Sequence, residues 1–327
     1  MKSKRNINTK EICDQIKKGN ITALSKAITL SESNINSDQE LANKILAKLK
    51  TKNNDSIRIG VTGVPGAGKS TFIESFGNHI TNLGLKLAVL TIDPSSSVTK
   101  GSILGDKTRM ETLSANKNVF IRPSPASNFQ GGVGKNTRES IFLCESAGYD
   151  IILIETVGVG QNEISVAEMV DFFLLLKISG SGDELQGIKR GIIEMSDLIA
   201  INKCDGDNVK DSIKAKNEFK LALQLFPKKK SNWKPQVLTC SSLTGEGLAE
   251  IWECITNYVN LTKKNNYFYE NRINQNKSWL LQIIDYSLRK SFFNRKSIKI
   301  RLNNLIKKIE EQKISIFEAS RKILSEI

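Results

Sequence analysis

The sequence predicts an α/β protein in which helices flank a doubly wound, mostly parallel β-sheet. Between residues 57 and 259, short runs of apolar and β-branched residues alternate with amphipathic segments. In addition, a glycine-rich segment of the form G-x-x-x-x-G-K-[ST] stands at residues 63–70, between a strand-like run and a helix that begins near Lys69. The predicted strands cover residues 57–62, 87–92, 151–155, 172–177, 198–202 and 236–239.

Three regions are predicted along the 327 residues. Residues 1–54 carry apolar positions at helical spacing and are expected to form an N-terminal helical extension. Residues 55–262 form the P-loop domain that carries the motifs. Residues 263–327 form a helical C-terminal arm, with one apolar stripe that joins Leu302, Leu305, Ile306 and Ile309.

Composition narrows the class of protein. The chain is 39% hydrophobic and 25% charged, as soluble globular proteins are, and no apolar run approaches the roughly 18 residues of a membrane span. The net charge of +14 comes from lysines spread along the chain, and we interpret the local cluster at 227–230 as a solvated loop. We therefore expect neither nucleic acid nor a membrane as partner. Five scattered cysteines without C-x-x-C, and a single histidine, indicate no disulfide framework and no Cys/His metal site, which fits the cytoplasm.

The strongest motif is the glycine-rich loop. Its glycines allow backbone N–H groups to turn inward around phosphate oxygens, and the following helix adds its positive N-terminal end. Lys69 is predicted to bridge the β- and γ-phosphates, and the Ser70 hydroxyl to ligate Mg²⁺. The predicted nucleotide-binding residues of this loop are Gly63, Val64, Pro65, Gly66, Ala67, Gly68, Lys69, Ser70 and Thr71.

A second motif is an acid at the end of an apolar strand, within residues 150–158. In a parallel sheet such an acid emerges beside the glycine-rich loop. We predict that Glu155 reaches Mg²⁺ directly or through water, and that Gly158 offers its N–H to the γ-phosphate. Val159 follows Gly158, where the Ras pattern has the glutamine that orients water, so we expect slow intrinsic hydrolysis.

A third motif indicates which base the protein binds, guanine or adenine. The strand at 198–202 ends in N-K-x-D, in which Asp205 can accept hydrogen bonds from both N1–H and the exocyclic amine of guanine. Asn202 is expected to reach the base and the loop, and the Lys203 stem to cover the base and ribose. Backbone N–H groups after the last strand could meet the guanine O6; these belong to Ser241, Ser242 and Leu243. Together these residues predict GTP rather than ATP as the ligand.

Two further acids, Asp93 and Asp106, lie between the first two motifs. Both could point into the metal and γ-phosphate region, as residues of switch loops do. Alternatively, both could merely cap a turn or a helix. The residues alone leave the two interpretations open.

Taken together, these segments resemble the MeaB/ArgK/MMAA family of GTPases, the G-protein chaperones of adenosylcobalamin-dependent methylmalonyl-CoA mutase. The resemblance rests on the three motifs and on residues 18–32, 92–96, 101–110, 121–127 and 182–191. It implies a SIMIBI-type P-loop fold, GTP or GDP with Mg²⁺ as ligands, homodimerisation through the C-terminal arm, and an adenosylcobalamin-dependent acyl-CoA mutase as partner.

The resemblance also implies roles for individual residues. Asp93, Asp106 and Glu155 would serve Mg²⁺ and hydrolysis. Residues 182–191 look like a third switch loop, in which Gln186 and Lys189 would swing toward the nucleotide when the partner docks. From the residues alone, the same segment is equally an ordinary strand-to-helix loop.

The sequence thus favours a GTP-dependent switch that gates cobalamin loading of a mutase and protects the enzyme. An ATP-dependent protein kinase or ATPase linked to arginine/ornithine transport, as older naming of the family suggests, would require ATP to outcompete GTP. A metallochaperone GTPase is the third alternative, which the single histidine and the absence of C-x-x-C disfavour.

Overall fold

The computed structural model describes residues 8–49, 55–93, 110–125, 132–156, 162–180 and 190–325. The strands are β1 (Ile57–Gly63), β2 (Leu87–Asp93), β3 (Val119–Pro125), β4 (Ile151–Glu155), β5 (Phe172–Ile178), β6 (Leu198–Asn202) and β7 (Gln236–Thr239). The helices are α1 (Thr9–Lys17), α2 (Ile21–Glu32), α3 (Asn36–Lys48), α4 (Lys69–Asn82), α5 (Glu111–Ser114), α6 (Gly132–Ser146), α7 (Asn162–Ala167), α8 (Arg190–Met195), α9 (Val209–Leu223), α10 (Leu248–Lys264), α11 (Tyr267–Asn294), α12 (Lys296–Glu310) and α13 (Ile316–Leu324). By its internal contacts the chain forms two compact units, Met1–Gln275 and Asn276–Ile327.

The strands form one seven-stranded sheet in the order β3-β2-β4-β1-β5-β6-β7. Every described pairing is parallel, and helices cover both faces, so the predicted α/β fold is confirmed. The six predicted strands are all present, but the prediction was incomplete because it missed β3. This strand contains Arg122, Pro123 and Pro125 and therefore does not look like a buried strand. It lies at the edge of the sheet, where a proline that cannot donate a ladder hydrogen bond is tolerated.

Two apolar layers hold the sheet between helices. On one face, α4 packs through Phe72 and Phe76, whose rings stack with centroids 5.2 Å apart. On the other face, the N-terminal helices contribute Ile16, Leu24 and Ile28 to a layer that includes strand residues of β2 and β4. Because both faces are covered, the central strands are continuously apolar, which is why they could be recognised in the sequence.

A network of buried charges lies at the end of the sheet where β1 and β5 begin. The Arg58 guanidinium makes a bidentate contact with the Glu145 carboxylate: Nε donates to Oε1 at 2.7 Å and Nη2 donates to Oε2 at 3.0 Å. Arg272, in the first turns of α11, donates to Asp171 at 2.8 and 2.6 Å. The side chains of Glu145 and Asp171 are each 1% exposed, so removing one member would leave an uncompensated buried charge. The network thereby fixes the start of α11 to the amino ends of the strands, away from the glycine-rich loop that follows β1.

The second unit contains its own small apolar cluster, in which Ile298, Leu305, Ala319 and Ile323 are buried. Ile306, which the apolar stripe placed on the same face, is 43% exposed instead. Within the described residues, no helix is both long enough and apolar enough to cross a membrane.

Candidate nucleotide-binding site

The site lies at the carboxyl end of β1, near the centre of the sheet. β1 is flanked by β4 and β5, and the loop of residues 64–68 leads from it into α4. In open parallel sheets, ligands bind in the crevice beyond the carboxyl ends of the central strands. This glycine-rich loop, which we call the phosphate loop, therefore stands at the place in this fold that is best suited to bind a ligand.

Two glycines of the loop are required by close contacts. A side chain on Gly63 would place its Cβ 2.4 Å from the backbone oxygen of Leu176, in β5. Gly68 has a φ of +82°, and a Cβ there would lie 2.9 Å from the Nδ2 of Asn202. Both positions exclude larger residues, because neither a backbone carbonyl nor an amide that is already hydrogen-bonded can easily move away. The motif glycines therefore bring the phosphate loop into contact with β5 and β6.

Lys69 begins α4 and curls back over the loop. Its ammonium group donates to the backbone oxygens of Gly63 at 2.9 Å and of Val64 at 3.4 Å. Burial lowers the pKa of Lys69, and the carboxylates of Glu155 and Glu163 partly oppose that shift. The loop thus holds a partly desolvated cation whose partners are neutral carbonyls, which phosphate oxygens could replace.

Two oxygen groups that could ligate a metal ion meet beside the loop. The Ser70 hydroxyl donates to the Glu155 carboxylate over 3.4 Å. Glu155 is brought there by register, since it ends β4 opposite Val61 of β1 and Thr91 of β2. A hydroxyl and a carboxylate are ligands that Mg²⁺ accepts, so the residues present fit this ion.

Asn202 connects the phosphate loop with residues 241–243 after β7, which we call the base loop. Its buried side chain donates from Nδ2 to the Ala67 carbonyl at 2.8 Å. Its Oδ1 accepts from the Ser242 backbone N–H at 3.0 Å and from the Ser242 hydroxyl at 2.8 Å. Both ends of the amide therefore bind protein groups, and the side chain links the two loops.

Lys203, which is exposed, and Asp205, which is half-buried, lie next to Asn202 in the chain. The Asp205 carboxylate accepts a hydrogen bond from the Ser241 hydroxyl at 2.5 Å, and Ser241 Oγ also accepts from the Thr244 backbone N–H at 3.1 Å. Lys203 adopts a left-handed backbone conformation with a φ of +60°, and its carbonyl accepts from the Asn208 side chain at 2.7 Å. The Ser241 hydroxyl thereby orients the Asp205 carboxylate through its Oδ2. No described side chain donates a hydrogen bond to its Oδ1, so that oxygen can accept one from a base.

These motifs belong to a known family. Residues 24–297 match the sequence model of the family described as Methylmalonyl Co-A mutase-associated GTPase MeaB. The chain belongs to the MeaB family. As a member of this family it is a GTPase, and the resemblance found in the sequence is confirmed.

Individual relatives agree with the assignment to the MeaB family. The chain is 46% identical to the "GTPase ArgK" of Escherichia coli over 81% of this chain and 80% of that protein. It is 43% identical to the "Methylmalonic aciduria type A homolog, mitochondrial" of Mus musculus over 89% of this chain and 73% of that protein. The crystal structure of a protein named "LAO/AO transport system kinase" superposes with a TM-score of 0.75 at 34% identity, covering 98% of both chains. The P-loop fold of this MeaB-family chain is therefore shown.

The structure brings together part of the residue set predicted for a MeaB-family GTPase. The phosphate loop, Ser70 and Glu155 lie together. The N-K-x-D motif, which we call the base motif, contacts the same loop through Asn202. Asp93 ends β2, next to β4 in the sheet. The remaining predicted residues lie outside the described part of the chain, namely Asp106, Gly158, Gln186 and Lys189. Leu243 is 83% exposed, so its side chain offers no fixed contact.

Sequence reasoning missed Glu163. This residue lies in the first turn of α7 and is 2% exposed, and its charge acts on Lys69. A signal was present, because Glu163 follows the predicted Glu155–Gly158 motif by five residues at the start of a helix. An acid in a first helical turn is usually only a favourable partner of the helix dipole, which is why it drew no attention.

Proposed function

We propose that this MeaB-family GTPase is a nucleotide-dependent switch that serves an adenosylcobalamin-dependent acyl-CoA mutase of the methylmalonyl-CoA type. In this proposal it gates loading of the cobalamin cofactor and protects the loaded enzyme. The observation that carries the proposal is the match of residues 24–297 to a family described as mutase-associated. The mouse relative, whose name refers to methylmalonic aciduria, supports the same partner class.

The phosphate-binding residues would act through positioning and charge. When a nucleotide binds, Lys69 would exchange the Gly63 and Val64 carbonyls for β- and γ-phosphate oxygens. The backbone N–H groups of the loop between Gly63 and Thr71, other than Pro65, which has none, would surround the phosphates. Ser70 and Glu155 would hold Mg²⁺, together with Asp93 and Asp106. The ion supplies positive charge that neutralises the phosphate oxygens as the bond to the γ-phosphate breaks.

The base-binding residues would select guanine. Asp205 would accept from N1–H and the exocyclic amine, with Ser241 holding the carboxylate in place. The exposed stem of Lys203 would cover the base and ribose, and the backbone N–H groups of residues 241–243 would face O6. Asn202 would contribute indirectly, because its hydrogen bonds set the distance between the base loop and the phosphate loop.

The switch itself would lie in the loops that touch the γ-phosphate. We assign Gly158 to γ-phosphate binding, and Gln186 and Lys189 to residues that complete the site when the partner docks. A partner that binds the GTP state more tightly than the GDP state shifts the equilibrium between the two states toward the GTP state. The free energy of that shift cannot exceed the difference between the two binding free energies. Because Gln186 and Lys189 would complete the site only when the mutase docks, GTP hydrolysis should be faster in its presence.

We also propose that the protein is a cytoplasmic homodimer formed through the C-terminal helices. Along α11, several large apolar side chains are at least 45% exposed: Leu280, Leu281, Ile284 and Leu288. Exposed apolar residues that recur on one helix face are commonly covered by another chain. Light scattering of a Leu281→Glu, Leu288→Glu variant should show a monomer if this face forms the dimer.

The decisive experiment measures GTP hydrolysis by the purified protein, alone and with a methylmalonyl-CoA mutase, with ATP in a parallel assay. We expect slow GTP-specific turnover that rises when the mutase is added. GTP turnover that the mutase leaves unchanged would refute the partner and leave the GTPase intact. Phosphate transfer from ATP to a protein acceptor, in preference to GTP, would favour the kinase activity for which the structurally similar transport system protein is named.

A further inference from the structure

We propose that a second cleft in the first unit, remote from the phosphate loop, binds a small organic anion that carries a flat apolar group. The cleft has a volume of about 630 Å³ and lies between α8, the end of α9 and residues 226–237. Small-molecule sites in proteins typically enclose about 300–1,000 Å³. We call it the lysine cleft, after the residues described below.

The lysine cleft lies at the opposite end of the sheet from the nucleotide. It includes Gln236, the first residue of β7, whereas the base loop follows the last residue of that strand. Because all strands run parallel, the start of β7 lies at the amino ends of the strands and its last residue lies at their carboxyl ends. A ligand in the cleft would therefore leave the phosphate loop and the base motif free.

The floor of the lysine cleft is apolar. Val237 is buried, and the side chains of Leu223, Phe226 and Trp233 are half-buried. An aromatic or similarly flat group placed against them would remove apolar surface of both molecules from water. The floor thus favours a ligand with an apolar body over a bare inorganic ion.

The rim of the cleft carries an excess of positive charge. Lys220, Lys228 and Lys234 are exposed and line it, and Glu194 is the one acid among the described residues of its lining. Three cations around a cleft with a single acid favour an anionic ligand. The apolar floor and the basic rim together specify the two halves of the proposed ligand.

Lys229 lines the same cleft but is committed to a structural role. Its ammonium group donates to the backbone oxygens of Met195 at 2.7 Å and Ser196 at 2.8 Å, and to the Asp197 carboxylate at 2.7 Å. These three bonds use all the donors of an ammonium group. Lys229 therefore anchors the cleft wall to the end of α8, and ligand binding is assigned to the other three lysines.

The aromatic part of the cleft floor is held in place before any ligand arrives. The Trp233 indole N–H donates to the Asp197 carbonyl at 3.0 Å, and its ring meets that of Tyr258 edge-on at a centroid distance of 5.4 Å. The Ser231 carbonyl accepts from the Asn265 side chain at 2.9 Å. A site whose aromatic floor is already fixed loses little conformational entropy on binding, which favours affinity.

The test uses the indole N–H signals of the protein in two-dimensional NMR, with 1-naphthyl phosphate as the probe and the nucleotide site filled with Mg·GDP. The chain has three tryptophans, so Trp233→Phe assigns the reporting signal, and Trp252 and Trp279 serve as internal controls. We expect a saturable shift of the Trp233 signal alone. 1-Naphthol and inorganic phosphate should each produce the shift at much higher concentration than the probe.

The charge requirement is tested with two matched triple variants. Lys220→Gln, Lys228→Gln, Lys234→Gln should weaken probe binding by about threefold to a hundredfold, as the loss of three exposed ion pairs predicts. Lys210→Gln, Lys214→Gln, Lys277→Gln removes the same charge from exposed lysines outside the cleft and should stay within about twofold. Equal affinity of the two variants, equal binding of 1-naphthol, or no saturable Trp233 shift at millimolar probe would each overturn the proposal.

Discussion

Asp205→Asn should change the base that the protein prefers. In the structure the carboxylate is oriented by the Ser241 hydroxyl at 2.5 Å, and Ser241 is itself held by the Thr244 N–H at 3.1 Å. An asparagine of the same shape keeps one acceptor but presents an NH₂ group to the exocyclic amine of guanine. Two donors then face each other, and a charge-assisted hydrogen bond is lost.

The magnitude follows from these bonds. A hydrogen bond to a charged group contributes about 1.5–3 kcal/mol, and an unpaired donor in the site costs about 1–3 kcal/mol. A net loss of about 3 kcal/mol in GDP binding corresponds to a dissociation constant raised on the order of a hundredfold. Xanthine carries an oxo group where guanine has the amine, so the new NH₂ gains a partner and XDP binding should improve.

The assay is competition of GDP and XDP against a fluorescent GDP analogue, for the parent protein and for Asp205→Asn. Asp207→Asn is the matched control, because it removes an exposed acid two residues further along the chain. Retention of GDP affinity within about threefold by Asp205→Asn, with no gain for XDP, would refute the assignment of Asp205 to the base.

Three further outcomes test the site. Lys69→Ala should lower GTP turnover by at least about a hundredfold, because positioning charges of this kind contribute several kcal/mol to phosphoryl transfer; undiminished single-turnover hydrolysis would contradict the P-loop role. Asn202→Ala should lower stability by about 3 kcal/mol, seen as a depressed melting temperature, because it leaves the Ala67 carbonyl and the Ser242 donors without their partner; an unchanged melting temperature would show that the two loops are held otherwise. Cys204 is the cysteine that is not buried, and burial raises the pKa of Cys240 to about 12. One thiol should therefore react quickly with a disulfide reagent at pH 8 and five after unfolding; fast native reaction of Cys240 would argue against its burial.

The sheet was largely predictable because of the physics of parallel strands. β5 is apolar along nearly its whole length, since helices cover both of its faces, and such runs are visible in the sequence. β3 was not visible, since Arg-Pro-Ser-Pro at residues 122–125 satisfies no strand pattern. Its assignment depends on the neighbouring β2, with which it pairs from Leu87 to Asp93, and a pairing partner cannot be read from a local window.

Individual motifs of the site were predictable, whereas the contacts between them were not. The motif fixes Lys69 and Ser70 because backbone and phosphate geometry demand those residue types at that spacing. The hydrogen bond from Asn202 to the Ala67 carbonyl spans 135 positions of the chain. Lys229, interpreted from the sequence as part of a solvated loop, is half-buried and holds the end of α8. Long-range partners of this kind are selected by the packing of the sheet, which local spacing does not encode.

The position of Asn202 has a consequence for how the site responds to its ligand. Its amide joins the phosphate loop, at Ala67, to the base loop, at Ser242, and the Ser242 carbonyl in turn accepts from Ser75 of α4 at 2.5 Å. The two halves of the site therefore cannot move independently without breaking hydrogen bonds of buried groups. Ordering of the phosphate loop by the nucleotide phosphates would hold the base loop in its binding position as well. Guanine recognition and phosphate binding would then be cooperative, so that guanosine alone binds far more weakly than its share of contacts suggests.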